Sequence, residues 1–250
     1  MTFSYCPNIY TGDLPPAAVR AAVKHALKEF PNESCGAIIG SKYVRFKNES
    51  ETPENHFEIK DSRWFDAYVD GRVRCLVHSH NDWPRATVED QTQQQELGVP
   101  SLVINLKHRS LIDCILLGGN EKVPLEGRPF FYGIFDCLAL VSDYMLETRN
   151  IVLPNPPHDW EFWAKGENPI EQMIDTNKEI PFTPVNKGGI QEGDVLLYNI
   201  WGTRYINHMG VCCSNNGLIL HHFLNTLSGK YPVSYGRKYL LNERIMRPNI

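Results

Sequence analysis

Between positions 118 and 129 the chain reads Gly118-Gly119-Asn120-Glu121-Lys122-Val123-Pro124-Leu125-Glu126-Gly127-Arg128-Pro129, a run of glycine, proline and charge suited to a linker rather than to the interior of a helix or sheet. It cuts 250 residues into two nearly equal parts. A composition of 42% hydrophobic and 11% aromatic residues is enough to fill a core in each. The expectation is an α+β chain of two domains, 1–120 and 129–250.

Composition excludes several classes of function. A formal net charge of -4, a pI near 6.1 and no cluster of Lys and Arg leave nothing to grip a polyphosphate backbone, so nucleic acid is not expected as a partner. No apolar run approaches the roughly 18 residues that cross a bilayer. The opening Met1-Thr2-Phe3-Ser4-Tyr5-Cys6-Pro7 lacks the charged and apolar regions of a signal peptide, so synthesis and folding in a cytoplasm are expected. Seven cysteines without a C-x-x-C pair indicate neither a disulfide framework nor a zinc knuckle, and most are expected to be buried thiols. There is no internal repeat and no low-complexity tract.

In the first half, Pro15-Pro16 opens a helix with Val19, Val23, Leu27 and Phe30 at helical spacing, closed by Pro31. Strands are expected at 35–40, 43–46 and 73–78, with a short helix at 62–68. A helix to Leu97 follows Thr87-Val88-Glu89-Asp90, and strands follow at 101–106 and 110–117. In the second half, 136–146 reads as a helix with Asp136 as N-cap. From Arg149 to Lys187 six prolines and Trp160, Phe162 and Trp163 make a long ordered excursion, with a turn of helix near Trp160. Strands of an antiparallel sheet then start at Gly193, His208 and Leu218.

Two constellations carry chemistry. On a strand, residues two apart share a face, so His78 and His80 can present ring nitrogens to one ion while Ser79 faces away. Asp90 supplies a third ligand if its helix folds back over that strand. Taken alone, Thr87 to Asp90 reads as a helix-capping box in preference to a ligand site. In the second half Cys137 stands in the first turn of its helix, where unpaired N–H groups and the helix dipole are expected to lower the thiol pKa. His208 on a later strand would exchange the proton, and His221 would hold the far nitrogen of His208. His222 is the rival for that third place. Adjacent strand residues face opposite ways, so only one of the two can point inward.

The order of features in the first half, Asn32-Glu33-Ser34-Cys35-Gly36, then His78-Ser79-His80, then Thr87-Val88-Glu89-Asp90, resembles the JAMM/MPN metallopeptidases. The likeness implies a mixed α/β sheet domain in which His78, His80 and Asp90 hold zinc, Glu33 takes a proton from the bound water and Thr87 supports the oxyanion. The ten positions from His80 to Asp90 are one fewer than that pattern has, and Asn81 replaces its common proline. In the second half Asp136-Cys137, Gly193-Asp194, Asn207-His208-Met209-Gly210 and the run from Gly217 to His221 resemble the NlpC-type cell-wall peptidases. That likeness implies a papain-like domain, a Cys-bearing helix on an antiparallel sheet, with a Cys137, His208, His221 triad, His221 standing at the family position and His222 then left at the surface or cleft rim. Leu138-Ala139 replace the Ser-Gly that usually follows the nucleophile, and the Cys-to-His interval is 71 positions.

The pairing of the two resembles the tail tip assembly proteins of lambda-like long-tailed phages. It implies a chain made in the host cytoplasm and carried at the virion tail tip, with other tail tip proteins as partners, that hydrolyses peptides of host peptidoglycan in the periplasm. The alternative from the same residues is a structural adaptor of the tail tip with one or both sites inactive, in which the aromatic, proline-rich excursion docks neighbouring subunits.

Overall fold

The computed structural model describes residues 8–81, 86–119, 123–158, 162–175, 177, 180–200, 202–224, 226–233 and 240–249. The chain divides into two compact units, Met1–Lys122 and Val123–Ile250.

The first unit is built on a six-stranded mixed sheet. Its strands are β1 (Asn8–Tyr10), β2 (Cys35–Ile39), β3 (Lys42–Phe46), β4 (Val73–Asn81), β5 (Ser101–Lys107) and β6 (Ser110–Leu117), in the spatial order β1-β6-β5-β4-β2-β3. Helix α1 (Pro16–Glu29) has Pro15 as N-cap and Pro16 in its first turn, where a missing N–H costs nothing. Its Ala18, Ala22 and Ala26 lie against Ile38, Val77, Leu102 and Ile104. Small side chains let the helix sit close on one face of the sheet. On the opposite face Trp64 and Ala67 of α2 (Ser62–Val69) pack with Ala37, Phe46 and Leu76. The hairpin between β2 and β3 turns at Gly40, whose φ of 60° lies in the left-handed region.

Strands β4 and β5 run parallel, so the chain between them must cross back, and α3 (Val88–Leu97) is that crossover. The link from β4 is short, which brings the N-terminus of α3 to the C-terminal end of β4. The capping box expected at its start is present. Thr87 Oγ1 accepts from the backbone N–H of Asp90 at 3.2 Å, and Asp90 Oδ2 accepts from that of Thr87 at 2.7 Å.

The second unit holds an antiparallel sheet of β7 (Phe182–Pro184), β8 (Val195–Ile200), β9 (His208–Cys212), β10 (Leu218–His221), β11 (Gly229–Pro232) and β12 (Leu240–Pro248), ordered β11-β10-β9-β8-β12-β7. Helix α4 (Cys137–Arg149) lies on it. Leu138, Val141 and Met145 meet Leu197, Met209 and Val211. The proline-rich excursion contributes Phe162, from a 3₁₀ turn at Phe162–Lys165, and Ile170 and Met173 of α5 (Pro169–Asp175) to the same core. That 3₁₀ turn is the described helical turn near Trp160, while Trp160 itself lies outside the described residues. The other face of the sheet buries Leu196, Tyr198, Cys212 and Ile219.

Several elements escaped the sequence reading. β12 carries Asn242, Glu243, Arg244 and Arg247, and its pairing with β8 shifts register between Leu241 and Arg244, so a bulge breaks the alternation that marks a strand. β1 and β7 have three residues each, too few to show a period. α4 also runs three residues beyond the expected end, to Arg149, before Asn150 stops it at a φ of 55°.

Candidate functional site

In the first unit the register of the sheet assembles the site. Cys35 on β2 lies opposite His78 on antiparallel β4, so Glu33, two residues earlier, comes opposite His80 on the same face. Ser79 points the other way, where its hydroxyl accepts from the backbone N–H of Ser34 at 2.8 Å. The crossover then delivers Asp90. Its Oδ1 is 2.9 Å from His78 Nε2 and its Oδ2 is 3.3 Å from His80 Nε2, while the two Nε2 atoms are 3.2 Å apart. Glu33 Oε1 is 3.8 Å from His80 Nε2. All four side chains are buried.

Burial pushes the Glu33 carboxyl up to about 7, with the Asp90 charge adding to the rise and His80 opposing it. For Asp90 burial acts upward too, but His78 and His80 outweigh it and hold the group well below the usual carboxylate range. Burial lowers the pKa of His78, keeping the imidazole neutral as a ligand must be.

These residues fit a metal ion by the test of donor geometry. Zinc with ligands at about 2.0–2.2 Å in a tetrahedron holds donor atoms roughly 3.4 Å apart; here the two imidazole nitrogens are 3.2 Å apart, each has an oxygen of the Asp90 carboxylate at 2.9 or 3.3 Å, and one donor atom from each residue lies within 4.8 Å of the others. Two neutral imidazoles and an ionised carboxylate are also the donor types zinc takes. The Thr87 hydroxyl donates to Asp90 Oδ2 at 2.9 Å. It therefore holds the carboxylate that faces the two imidazoles.

In the second unit Asp136 caps α4. Its Oδ1 accepts from the backbone N–H groups of Leu138 and Ala139, each at 3.0 Å, and its Oδ2 accepts from that of Gly133 at 2.7 Å. Cys137 follows at the start of the helix and lines a cavity together with His208, His158, His222, Phe130 and Trp163. His208 Nε2 is 3.3 Å from His221 Nδ1. The His208 ring stacks on Phe223 at a centroid distance of 4.5 Å, and His221 meets Phe223 and Tyr231 edge-on at 4.2 and 4.8 Å. Gly210 makes room for this pair, since a Cβ there would come within 2.8 Å of Ile219 and 3.1 Å of His221.

The structure corrects two expectations at this site. Burial, helped by the Asp136 charge, pushes the Cys137 thiol up to about 12 although the amides of Met209, Cys137 and Leu138 pull it down. The helix N-terminus is present but desolvation outweighs it. Burial also pushes His208 well below its ordinary value and His221 down to about 4, so the resting site is a neutral thiol beside neutral imidazoles. The second correction concerns His222, which is fully buried and lines the cavity, with Nε2 3.2 Å from the Thr226 carbonyl and the Phe130 ring edge-on to it. β10 ends at His221, so strand alternation no longer governs the next residue.

The sequence reading missed His158. Its Nε2 lies 2.6 Å from Asp136 Oδ2. It sits in Pro156-Pro157-His158, where no periodicity signals which way a side chain points.

Comparison with known proteins bears on both units. Residues 127–243 match the NlpC/P60 family. The tail tip assembly protein K of Escherichia phage N15 is 30% identical over 234 residues, covering 92% of this chain and 92% of that protein. The protein of the same name from Escherichia phage lambda is 27% identical over 166 residues, 66% of this chain and 77% of that one. Among solved structures, a protein from Desulfitobacterium hafniense matches with a TM-score of 0.31 at 20% identity, covering 44% of this chain and 82% of that one. An NLP/P60-family lipoprotein-like protein from Staphylococcus aureus matches at 0.31 and 17%, covering 48% and 37%. Among the described residues no helix is long and apolar enough to cross a membrane.

Proposed function

The chain belongs to the tail tip assembly protein K family and carries an NlpC/P60 domain, and from that premise we propose that it is a tail tip component whose second unit cleaves an amide bond in a host cell-wall peptide. The observation that carries the reading is Cys137 at the head of α4 sharing a cavity with His208, whose Nε2 is engaged by His221. That engagement leaves Nδ1 of His208 as the nitrogen that exchanges a proton with the thiol. Proton transfer from Cys137 Sγ to His208 accompanies attack of sulfur on the substrate carbonyl, His208 returns the proton to the leaving amine, and water hydrolyses the resulting thioester. His221 fixes the tautomer and the ring plane.

Incubation with purified sacculi tests this. Wild type is expected to release muropeptides and Cys137→Ala to release none, whereas equal release by both would remove Cys137 from the reaction. The raised thiol favours a second reading, an adaptor in which the cleft packs but does not turn over. Absence of release by the wild type selects it.

For the first unit we propose a zinc centre held by His78, His80 and Asp90, as in the JAMM/MPN metallopeptidases. Bound zinc there would acidify a water and polarise a carbonyl. Glu33, with its carboxyl raised to about 7, is placed beside His80 to accept and return a proton near neutral pH. Elemental analysis of protein purified without chelator should find about one zinc per chain, lost in a His78→Ala, His80→Ala variant. Zinc at background in the wild type would defeat the assignment.

A further inference from the structure

His158 is 3% exposed and reaches the thiol cavity from the proline-rich segment. Its two ring nitrogens face acceptors. Nδ1 is 2.8 Å from the Pro156 carbonyl, which can only accept, so Nδ1 carries a hydrogen. Nε2 is 2.6 Å from Asp136 Oδ2, and the Asp136 carboxyl already receives three backbone N–H groups, from Gly133, Leu138 and Ala139. Three amide donors favour the ionised carboxylate, so Nε2 donates as well. With both nitrogens donating, the ring is an imidazolium locked in a buried ion pair.

We propose that His158 is a positioning residue of the thiol site: acting through Asp136, its fixed positive charge cancels that carboxylate's opposition to a thiolate at Cys137. The helix thereby keeps an acidic N-cap directly before its nucleophile without the full cost of that charge at the sulfur. Asp136 acts electrostatically on Cys137 and also on His208 and His222. Among the described residues the other titratable groups facing the pair are His208 from β9 and His221 and His222 at the end of β10, all held toward the neutral form by burial. Asp143, further along α4, is taken by Arg128 at 2.5 Å. The proposal rests on the reading of this unit as a thiol hydrolase, but its test requires no turnover.

Below its midpoint, alkylation of a thiol by iodoacetamide tracks the thiolate fraction. Labelling of Cys137, followed by peptide mass analysis at about pH 8 and about pH 9, is compared in wild type, His158→Gln, and His158→Gln with Asp136→Asn. Glutamine keeps a donor toward Asp136 without the charge, and asparagine keeps the cap. Loss of a close opposite charge should slow labelling by about tenfold or more in the single variant. The double variant should return to within about threefold of wild type, because the carboxylate being cancelled is gone. Mere loosening would act the other way, exposing the thiol and speeding its labelling. A single variant labelled as fast as wild type or faster, or a double variant as slow as the single, overturns the proposal. Muropeptide release is read separately, so loss of the peptidase reading leaves this outcome legible.

Discussion

His208 and His221 are polar rings buried in an aromatic cage, and the cage decides their charge. Protonating either ring in place means putting a cation among Phe223, Tyr198 and Tyr231, and among the described residues no carboxylate is at contact distance from the His208–His221 pair. A group whose folded pKa lies below its unfolded value contributes stability that is complete above the unfolded pKa and lost as pH falls toward the folded one. For His221 that window runs from 6.5 down to about 4, which corresponds to about 3 kcal/mol. Denaturant unfolding of the second unit should therefore weaken steadily between about pH 6.5 and about pH 4. A His221→Gln variant should lose part of that slope, and a wild-type stability flat across the interval would contradict the buried neutral pair. Cys137, His208 and His221 were legible because they fall at the start of a helix, the start of a strand and the end of a strand that the sequence marks out. His158 was not, because its orientation follows from a carbonyl at Pro156 and a carboxylate twenty-two residues upstream, neither of which leaves a mark on local sequence pattern.

At the scale of elements, the start of α3 combines a helix cap with a candidate ligand carboxylate in one tetrapeptide. The capping box and the ligand set, alternatives in the sequence, are compatible in geometry. Asp90 Oδ2 takes the Thr87 backbone N–H and the Thr87 hydroxyl, while Oδ1 and Oδ2 reach His78 and His80. The cap aims the carboxylate. Thr87→Ala removes one bond to the helix N-terminus and one to the carboxylate, and should cost about 1 kcal/mol in the first unit. On the zinc reading it should also weaken metal affinity by about 10–100-fold, as loss of a partner behind a ligand does. Thr87→Ser keeps both bonds and should stay near wild type in both. Thermal unfolding and competition against a zinc-chelating dye separate the two effects, and unchanged affinity in Thr87→Ala would show that the cap does not orient the ligand. Helices were readable because burial on one face imposes a period, and central strands because burial on both faces makes short, nearly continuous apolar runs. β12 was not, because its arginines turn to Glu171 and Asp194 and its bulge resets the alternation.

At the scale of the whole chain, each unit closes its own core. The clusters around α1 and α2 contain only residues up to Leu116, and those around α4 only residues from Leu125 onward. The glycine and proline run read in the sequence as a linker lies where the compact units divide. Hydrophobic burial is local to the atoms it removes from water, so damage to one cluster is expected to stay in one unfolding transition. Leu140 is fully buried in the second cluster, and Leu140→Ala should cost that unit about 2–5 kcal/mol by transfer and cavity terms. The transition of the first unit, identified by its shift on addition of zinc, should stay where it is. If instead both transitions moved together by a similar amount, the two cores would be folding as one cooperative body, and the independence of a thiol site and a candidate metal site in one chain would have to be given up.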